Sequence, residues 1–411
     1  MNIRCKQALG RIVPLILLFF LVTGGRCFAQ YDYINISEPF LKKIPLAVPA
    51  FKTVTDSDAA KKTADRAAEM VSRSLAFTGY FKVIDRDAFL ERPKDKGITA
   101  DAVNFKNWTD IGTELLITGG IRLEGQVLQM EFRLFDPFRG ELLVGKRYTG
   151  DIGDLRKMTL KFSTAVISRL TGDAGIFNSR IAFVSATKEG KFLYVCDFDG
   201  HNPRRVTDAH EILLFPSWSP DGRSLAYTSY QEGTPDIYIQ SLSGKNQAKV
   251  ISFAGVNIAP AWVPGQSQIA ATLSHEGDEE IYLLTHKGKI VKRVTNSWGV
   301  DVSPTFSPDA KFMAFVSNRS GSPQIYIRNM ENGDTRRLTF KGKYNTQPDW
   351  SPSGDKIVYS GMQGGRTDIY VIGTDGGDRN QLTRKAGNNE SPSWSPDGSL
   401  IVFSSTRNGS S

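Results

Sequence analysis

The chain of 411 residues is poor in the residues that most often carry chemistry, with three cysteines and four histidines. Cys5 and Cys27 lie in the first 29 residues, which we expect to be removed on export. Cys196 would then have no intramolecular partner, so a disulfide framework is excluded. The histidines follow no metal-ligand spacing. We therefore predict no metal site and no cofactor.

Catalytic signatures are also missing. There is no Gly-x-Ser-x-Gly elbow, no phosphate-binding glycine loop with Gly-Lys-Ser/Thr, and no His-Glu-x-x-His. The net charge is +8, and four of the basic residues lie in residues 1–29, which contain no acid. The remaining charge is too mild to predict nucleic-acid binding. The sequence predicts a protein that is not an enzyme.

The amino terminus has the pattern of an export signal. A basic lead from Arg4 to Arg11 precedes the apolar run Ile12–Val22, which is too short to span a bilayer. Small residues then occupy both cleavage positions, Cys27 and Ala29. We expect residues 1–29 to be a signal peptide, cleaved between Ala29 and Gln30.

The carboxyl-terminal part repeats itself every 44 residues without insertion or deletion. An aromatic residue recurs at Trp218, Trp262, Phe306, Trp350 and Trp394. Prolines two residues before and after it keep the same spacing, as does a tyrosine, at Tyr194, Tyr238, Tyr282, Tyr326 and Tyr370. A self-similar unit of this length is typical of one four-stranded β-propeller blade. A β-sandwich with accidental periodicity is the alternative.

The unit from Pro216 to Ile251 shows why it should be a blade. The residues Ser219–Gly222 are typical of a turn. Strands are predicted at 217–218, 225–228, 236–239 and 249–251. Such short strands cannot bury both faces of their sheet alone, so each unit needs neighbours. We assign residues 173–411 to a propeller.

Residues 30–172 lack this period and predict a mixed α/β domain. Asp56 or Ser57 can cap a helix that buries Ala60, Ala64, Ala67, Val71 and Leu75 on one face. A second long helix is predicted from Asp154 to Leu170, before a hinge at Gly172–Gly175. Tyr31 to Ile36 is either a free segment for strand addition to a partner or an edge strand of its own sheet.

Two sets of loops should share one face of the propeller. One set precedes the first strand of each blade, and the other joins the second strand to the third. Their aromatic, arginine, asparagine and acidic side chains around an axial opening suit protein binding. Solvated loops without a partner are the alternative.

At this point the chain resembles a known family. Phe81–Arg86, Leu116–Gly120 and Arg133–Asp136, followed by Trp-Ser-Pro-Asp-Gly repeats, resemble the TolB family. The resemblance covers nearly the whole mature chain. It implies a periplasmic, non-enzymatic adaptor of the Tol–Pal system that maintains envelope integrity and supports outer-membrane constriction during cell division.

The resemblance also implies partners. The propeller would bind the outer-membrane lipoprotein Pal near its axial opening, and the mature amino-terminal segment would bind the inner-membrane protein TolA. The TolA-binding residues would be Tyr31, Asp32, Tyr33, Ile34, Asn35 and Ile36. The Pal-binding face would include Asn257, Trp298, Asp301, Arg319, Tyr344, Asn345, Asn389 and Glu390. We expect a monomer.

The family propeller has six blades, and this chain departs from it. We count three strands of a first blade, four full blades from Pro216 to Arg384, and two strands of a last, incomplete blade. The sequence is truncated or the ring is open. The competing functions are the gating propeller of a prolyl-oligopeptidase-like hydrolase and a glycan- or small-ligand-binding propeller. The first would require a serine-hydrolase domain beyond Ser411.

Overall fold

The computed structural model describes residues 42–90, 97–173, 175–207, 212–244, 247–384 and 387–409. An α/β domain comes first in the chain and a series of small antiparallel sheets follows it. The predicted signal peptide, its cleavage site at Ala29 and Gln30, and the segment Tyr31–Ile36 lie outside the described residues. Among the described residues, no helix is long and apolar enough to cross a bilayer.

The α/β domain is built on one mixed sheet with the strand order β3-β1-β4-β5-β6, and β2 also pairs with β4. Its strands are β1 Ile44–Ala47, β2 Lys52–Thr53, β3 Phe81–Val83, β4 Leu115–Glu124, β5 Val127–Asp136 and β6 Glu141–Asp151. Its helices are α1 Asp58–Phe77, α2 Phe105–Thr109 and α3 Leu155–Thr171, with short 3-10 turns at Arg86–Ala88, Ala100–Ala102 and Ile152–Asp154.

Helices α1 and α3 cover one face of this sheet and form the main core of the domain. Ser57 caps α1 by accepting a hydrogen bond from the Ala60 backbone N–H at 3.1 Å, which settles the choice of cap. The five apolar residues predicted for the buried face of α1 are all buried. Phe162 of α3 stacks on Phe132 of β5 at 4.7 Å between ring centroids. The periodicity of the sequence therefore predicted this layer correctly.

The other face of the sheet carries a smaller apolar cluster. Trp108 of α2 is buried there with Ala47, Leu116 and Phe135. Phe89 packs edge-on against Trp108, with ring centroids 4.9 Å apart. The domain is thus a sheet covered on both faces.

The repeats form the propeller sheets. Blade 1 has the strands β7 Arg180–Thr187, β8 Gly190–Asp197 and β9 Arg204–Arg205. Blades 2 and 3 comprise β10 Leu213–Trp218, β11 Ser224–Ser229, β12 Asp236–Ser241, β13 Gln247–Ile251, β14 Asn257–Trp262, β15 Gln268–Leu273, β16 Glu280–Thr285 and β17 Ile290–Arg293. Blades 4 and 5 comprise β18 Asp301–Phe306, β19 Phe312–Ser317, β20 Gln324–Asn329, β21 Thr335–Arg337, β22 Tyr344–Trp350, β23 Lys356–Gln363, β24 Arg366–Gly373 and β25 Asn380–Gln381. A last sheet pairs β26 Asn389–Trp394 with β27 Ile401–Ser405.

An amino-terminal domain followed by a β-propeller is therefore confirmed. Five blades of three or four strands are formed, and a two-stranded sheet follows them. A six-bladed ring stays a prediction, because the described part of the chain contains five such blades rather than six. The blades pack as the sequence predicts: Trp350 of blade 5 is buried with Ile325 and Ile327 of blade 4.

Every first strand contains the same irregularity. The residue before its proline has a positive φ of 53° to 56°, and the pairing with the second strand shifts register there. These residues are Phe215, Ala259, Ser303, Gln347 and Ser391. A left-handed conformation costs an L-residue about 1–2 kcal/mol. At Ala259 a bond across the blade junction helps to hold it, since the backbone N–H donates to Thr228 Oγ1 at 3.2 Å.

Candidate protein-binding face

The antiparallel order of the blades decides which loops share a face. The loops leading into each first strand and those joining second to third strands lie at the same end of each sheet. We call this end the loop face. The turns joining first to second and third to fourth strands lie at the opposite end. The fixed 44-residue spacing makes this arrangement the same in every blade.

The α/β domain contacts the propeller at the opposite face. Arg156 of α3 donates to both carboxylate oxygens of Asp199 in blade 1, at 2.7 and 2.9 Å. Desolvation raises the pKa of Asp199, but hydrogen bonds from Arg156 and the His201 backbone outweigh it and hold that pKa below its ordinary value. Phe198 and Leu400, from the turns of blade 1 and the last sheet, pack against the core of the α/β domain. The loop face is thus on the other side from these contacts.

Three of the eight residues predicted to bind Pal are exposed on the loop face. Trp298 is 73% exposed and Tyr344 is 46% exposed. Glu390 is also exposed. These side chains are available to a partner, although their role in binding stays a prediction.

Four of the predicted contacts are corrected by the structure. Asn257, Asp301, Asn345 and Asn389 are each 0% exposed and present no surface to a partner. They lie 44 residues apart, and each is the first or second residue of the first strand of its sheet. The sequence assigned these positions to exposed loops. In the structure they belong to the strands, where their side chains are buried between blades.

These buried residues join neighbouring blades. Asn345 Nδ2 donates to Gln324 Oε1 of the preceding blade at 2.8 Å, and Asn389 Nδ2 donates to Asp368 Oδ1 at 3.2 Å. Asn257 Nδ2 reaches Asp236 Oδ1 at 3.5 Å and donates to the Phe253 carbonyl at 2.8 Å. Because a buried polar group needs a partner, each pair ties one blade to the next.

The junction between blades 3 and 4 satisfies its buried polar groups with ion pairs instead. Its two buried positions are both acids, Glu280 and Asp301. Arg293 Nη2 lies 3.3 Å from Glu280, and Arg319 Nη2 lies 2.5 Å from Asp301. Arg319 also lies over the ring of Tyr326, 5.1 Å from its centroid. Arg319 is therefore held within the chain by an ion pair, and its role in binding Pal stays a prediction.

An acidic loop rises beside this junction on blade 3. Tyr282 Oη donates to Glu276 Oε2 at 2.9 Å, and Arg293 also reaches that oxygen at 3.2 Å. The hydrogen bond from Tyr282, followed by the charges of His275 and Arg293, lowers the pKa of Glu276 despite desolvation. Burial and the same hydrogen bond raise the pKa of Tyr282 to about 12. Glu276 is thus anionic over the whole physiological range.

Sequence reasoning missed one prominent residue of this face. Phe340 is 72% exposed, between the buried Thr339 and the exposed Lys341. Arg337 lies over its ring, 4.9 Å from the centroid. The available signal was a large apolar residue in the loop that joins β21, which ends at Arg337, to β22.

The surviving cysteine and one of the histidines are packed against other side chains of the propeller. Cys196 is buried, and burial raises the pKa of its thiol. His275 packs between the rings of Phe253 and Tyr282, with centroids 5.1 Å from each. Within the described residues, no group of three or more His, Cys, Asp or Glu side chains could hold a metal ion.

Comparison with known proteins now identifies the family. Residues 167–411 match the TolB beta propeller domain, and residues 32–143 match the TolB amino-terminal domain. The chain belongs to the TolB family. The TolB crystal structure from Acinetobacter baumannii superposes with a TM-score of 0.74 at 27% identity, covering 89% of this chain and 92% of that one.

Curated TolB relatives agree with this assignment. The Tol-Pal system protein TolB of Desulfosudis oleivorans is 53% identical over 223 residues, which are 54% of this chain and 51% of that protein. The Tol-Pal system protein TolB of Syntrophus aciditrophicus is 42% identical over 209 residues, 50% of this chain and 46% of that protein. The chain thus spans about half the length of the curated relatives it matches.

Proposed function

We propose that this protein is a periplasmic, protein-binding adaptor of the Tol-Pal system, linking the outer-membrane lipoprotein Pal to the inner-membrane protein TolA. The observation that carries the proposal is the pairing of a TolB amino-terminal domain with a TolB propeller in one chain. Through these two partners it would maintain envelope integrity and support outer-membrane constriction during division. Binding energy would come from side-chain burial and strand addition rather than from bond chemistry.

We assign the two partners to separate parts of the chain. Pal would bind the loop face, which carries the exposed Trp298 and Tyr344. TolA would bind Tyr31–Ile36, at the start of a mature chain divided into domains at residues 30–172 and 173–411. The propeller would be a six-bladed ring. A non-enzymatic role is supported by the absence of nucleophile, phosphate-loop and zinc-protease motifs from the sequence.

The proposal is tested by binding measurements with purified Pal and TolA from the same organism. We expect the mature chain to bind both in isothermal titration calorimetry. Deletion of residues 31–36 should abolish TolA binding and leave Pal binding unchanged, whereas Trp298→Ala should weaken Pal binding alone. A mature chain that binds neither protein would contradict the proposal, and TolA binding that survives the deletion would contradict the assigned segment.

A further inference from the structure

On the loop face, the charged loops of blades 3 and 5 differ in sign. Blade 3 carries an acidic edge made of Glu276, Asp278 and Glu279 in the loop before β16. Blade 5 carries a basic edge made of Lys341, Lys343 and Arg366. The described residues supply no ion-pair partner to any of the three basic side chains. A charged surface without internal partners attracts a complementary one.

Large apolar side chains are exposed in the loops of blades 4 and 5, and we call these four residues the aromatic patch. Trp298 is 73% exposed, Phe340 72%, Tyr344 46% and Met362 40%. Tyr344 and Met362 are opposite each other in the pairing of β22 with β23. Trp298 occupies the leading loop of blade 4, and Phe340 and Tyr344 flank that of blade 5. Several large apolar side chains exposed on neighbouring blades are typical of protein-interaction sites.

The loop that carries Trp298 is fixed on both sides of it. The Ser297 N–H donates to the buried Glu280 Oε1 at 2.6 Å, and the Val300 N–H donates to Asn318 Oδ1 at 2.9 Å. Gly299 packs so tightly that a Cβ there would lie 2.4 Å from Asn318 Oδ1 and 3.0 Å from the Arg319 nitrogen. The indole is therefore held in the exposed position by its own backbone. Such an arrangement loses little entropy on binding.

The basic edge is held in the same way. The Lys341 carbonyl accepts a hydrogen bond from Asn345 Nδ2 at 3.0 Å, and the Gly342 carbonyl accepts one from Gln324 Nε2 at 3.2 Å. Both donors are buried, so the loop 340–343 is anchored to two blades at once. Its lysine side chains and the Phe340 ring project from an anchored backbone.

We infer that the loop face selects a protein segment that lays acidic side chains along the basic edge and apolar side chains on the aromatic patch. The acidic edge on blade 3 repels that segment and so fixes its direction across the propeller. This inference rests on the proposed function, because it specifies the chemistry by which Pal would be recognised. It assigns recognition to blades 4 and 5 rather than equally to all blades.

The test compares two double charge reversals in the full mature chain. Lys341→Glu with Lys343→Glu changes the basic edge. Lys287→Glu with Lys289→Glu makes the same change of charge, at the same spacing, in a turn of the opposite face. Association with Pal is followed by stopped flow at several salt concentrations. We expect the first pair to slow association about tenfold or more and to flatten its salt dependence, and the second to leave both unchanged.

Two single variants test the other elements. Trp298→Ala should weaken binding roughly 30-fold, as expected for a central aromatic anchor. Asp278→Lys should accelerate association by removing repulsion. Equal effects of the two double reversals, or slower association of Asp278→Lys, would overturn the inference. Circular dichroism spectra identical to wild type exclude misfolding as the cause of any loss.

A peptide pair separates this inference from the proposed function. A Glu-rich 12-residue peptide with two leucines and its Lys-rich counterpart are titrated while tryptophan fluorescence is followed. Preference for the Glu-rich peptide, lost in Trp298→Ala, supports the inference even for a chain that does not bind Pal. A chain that binds Pal but prefers the Lys-rich peptide would keep the proposed function and overturn the inference.

Discussion

Replacing Asn345 by Asp tests how the blades are joined. Asn345 is 0% exposed, and its Nδ2 donates to Gln324 Oε1 at 2.8 Å and to the Lys341 carbonyl at 3.0 Å. In Asn345→Asp both acceptors would face a carboxylate oxygen instead of a donor. The junction between blades 3 and 4 tolerates an aspartate at the same position, because Arg319 pairs with Asp301. The residue 44 positions after Arg319 is Gln363, which has no charge.

The cost follows from the lost contacts. Two buried hydrogen bonds contribute about 1 kcal/mol each. Leaving a buried charge without its partner raises the total to about 3–5 kcal/mol. Gln363 is exposed, so Gln363→Arg alone should change stability by less than about 0.5 kcal/mol. Combined with Asn345→Asp, it should recreate the ion pair of Arg319 and Asp301.

Urea unfolding of the four proteins, followed by tryptophan fluorescence, measures this coupling. We expect the double variant to be more stable than the sum of the single effects by about 1–3 kcal/mol. Asn345→Asp with Gln363→Lys is the matched control, since lysine supplies the charge without the fork of donors. Additive effects within about 0.5 kcal/mol would refute the view that Arg319 is what permits an acid at Asp301.

Two further predictions concern the first strands. Ala259→Gly relieves about 1–2 kcal/mol of left-handed strain. In thermal melts it should therefore cost less stability than Ala271→Gly, in the regular part of β15, by at least about 1 kcal/mol. Equal losses of stability in the two variants would contradict strain at Ala259. Burial raises the pKa of Asp349, so its ionisation in the folded state destabilises the protein as pH rises through that pKa. Asp349→Asn should therefore gain stability relative to wild type as the pH rises from the ordinary aspartate range through the pKa of Asp349 in the folded protein. Asp309 is the control of opposite sign: a hydrogen bond from Ser307 lowers its pKa, so Asp309→Asn should be less stable than wild type at neutral pH and equal to it in acid. Melts from pH 3 to pH 8 decide, and curves parallel to wild type for both variants would contradict these pKa directions.

The sequence predicted the fold well where a repeated pattern demands one structure. The 44-residue spacing placed the strands of blade 2 within two residues of their observed limits, apart from the first strand, which begins at Leu213 rather than Ser217. Turn residues such as Gly222 punctuate the chain, and Gly222 takes the positive φ of 65° that its turn requires. In the α/β domain, the spacing of alanines in α1 was enough to identify the buried face.

The candidate site could be predicted only in part, because burial inside a loop depends on partners far away in sequence. Asn345 and Tyr344 are neighbours in the chain, yet the first is buried and the second is 46% exposed. The pairing of Asn345 with Gln324, 21 residues earlier, decides this difference. Phe340 was missed for the complementary reason, since local patterns do not report an apolar residue that the fold leaves uncovered.

The pairs at the blade junctions have a consequence for how similar repeats find their order. The blade junctions use three combinations: Asn257 faces Asp236 as Asn389 faces Asp368, Asp301 faces Glu280, and Asn345 faces Gln324. Were blade 4 to dock behind blade 5 of another molecule, Asp301 would meet Asp368, two acids sharing a single guanidinium. Exchange of blades between two molecules during folding is thereby disfavoured. The five similar blades can therefore assemble in a single order.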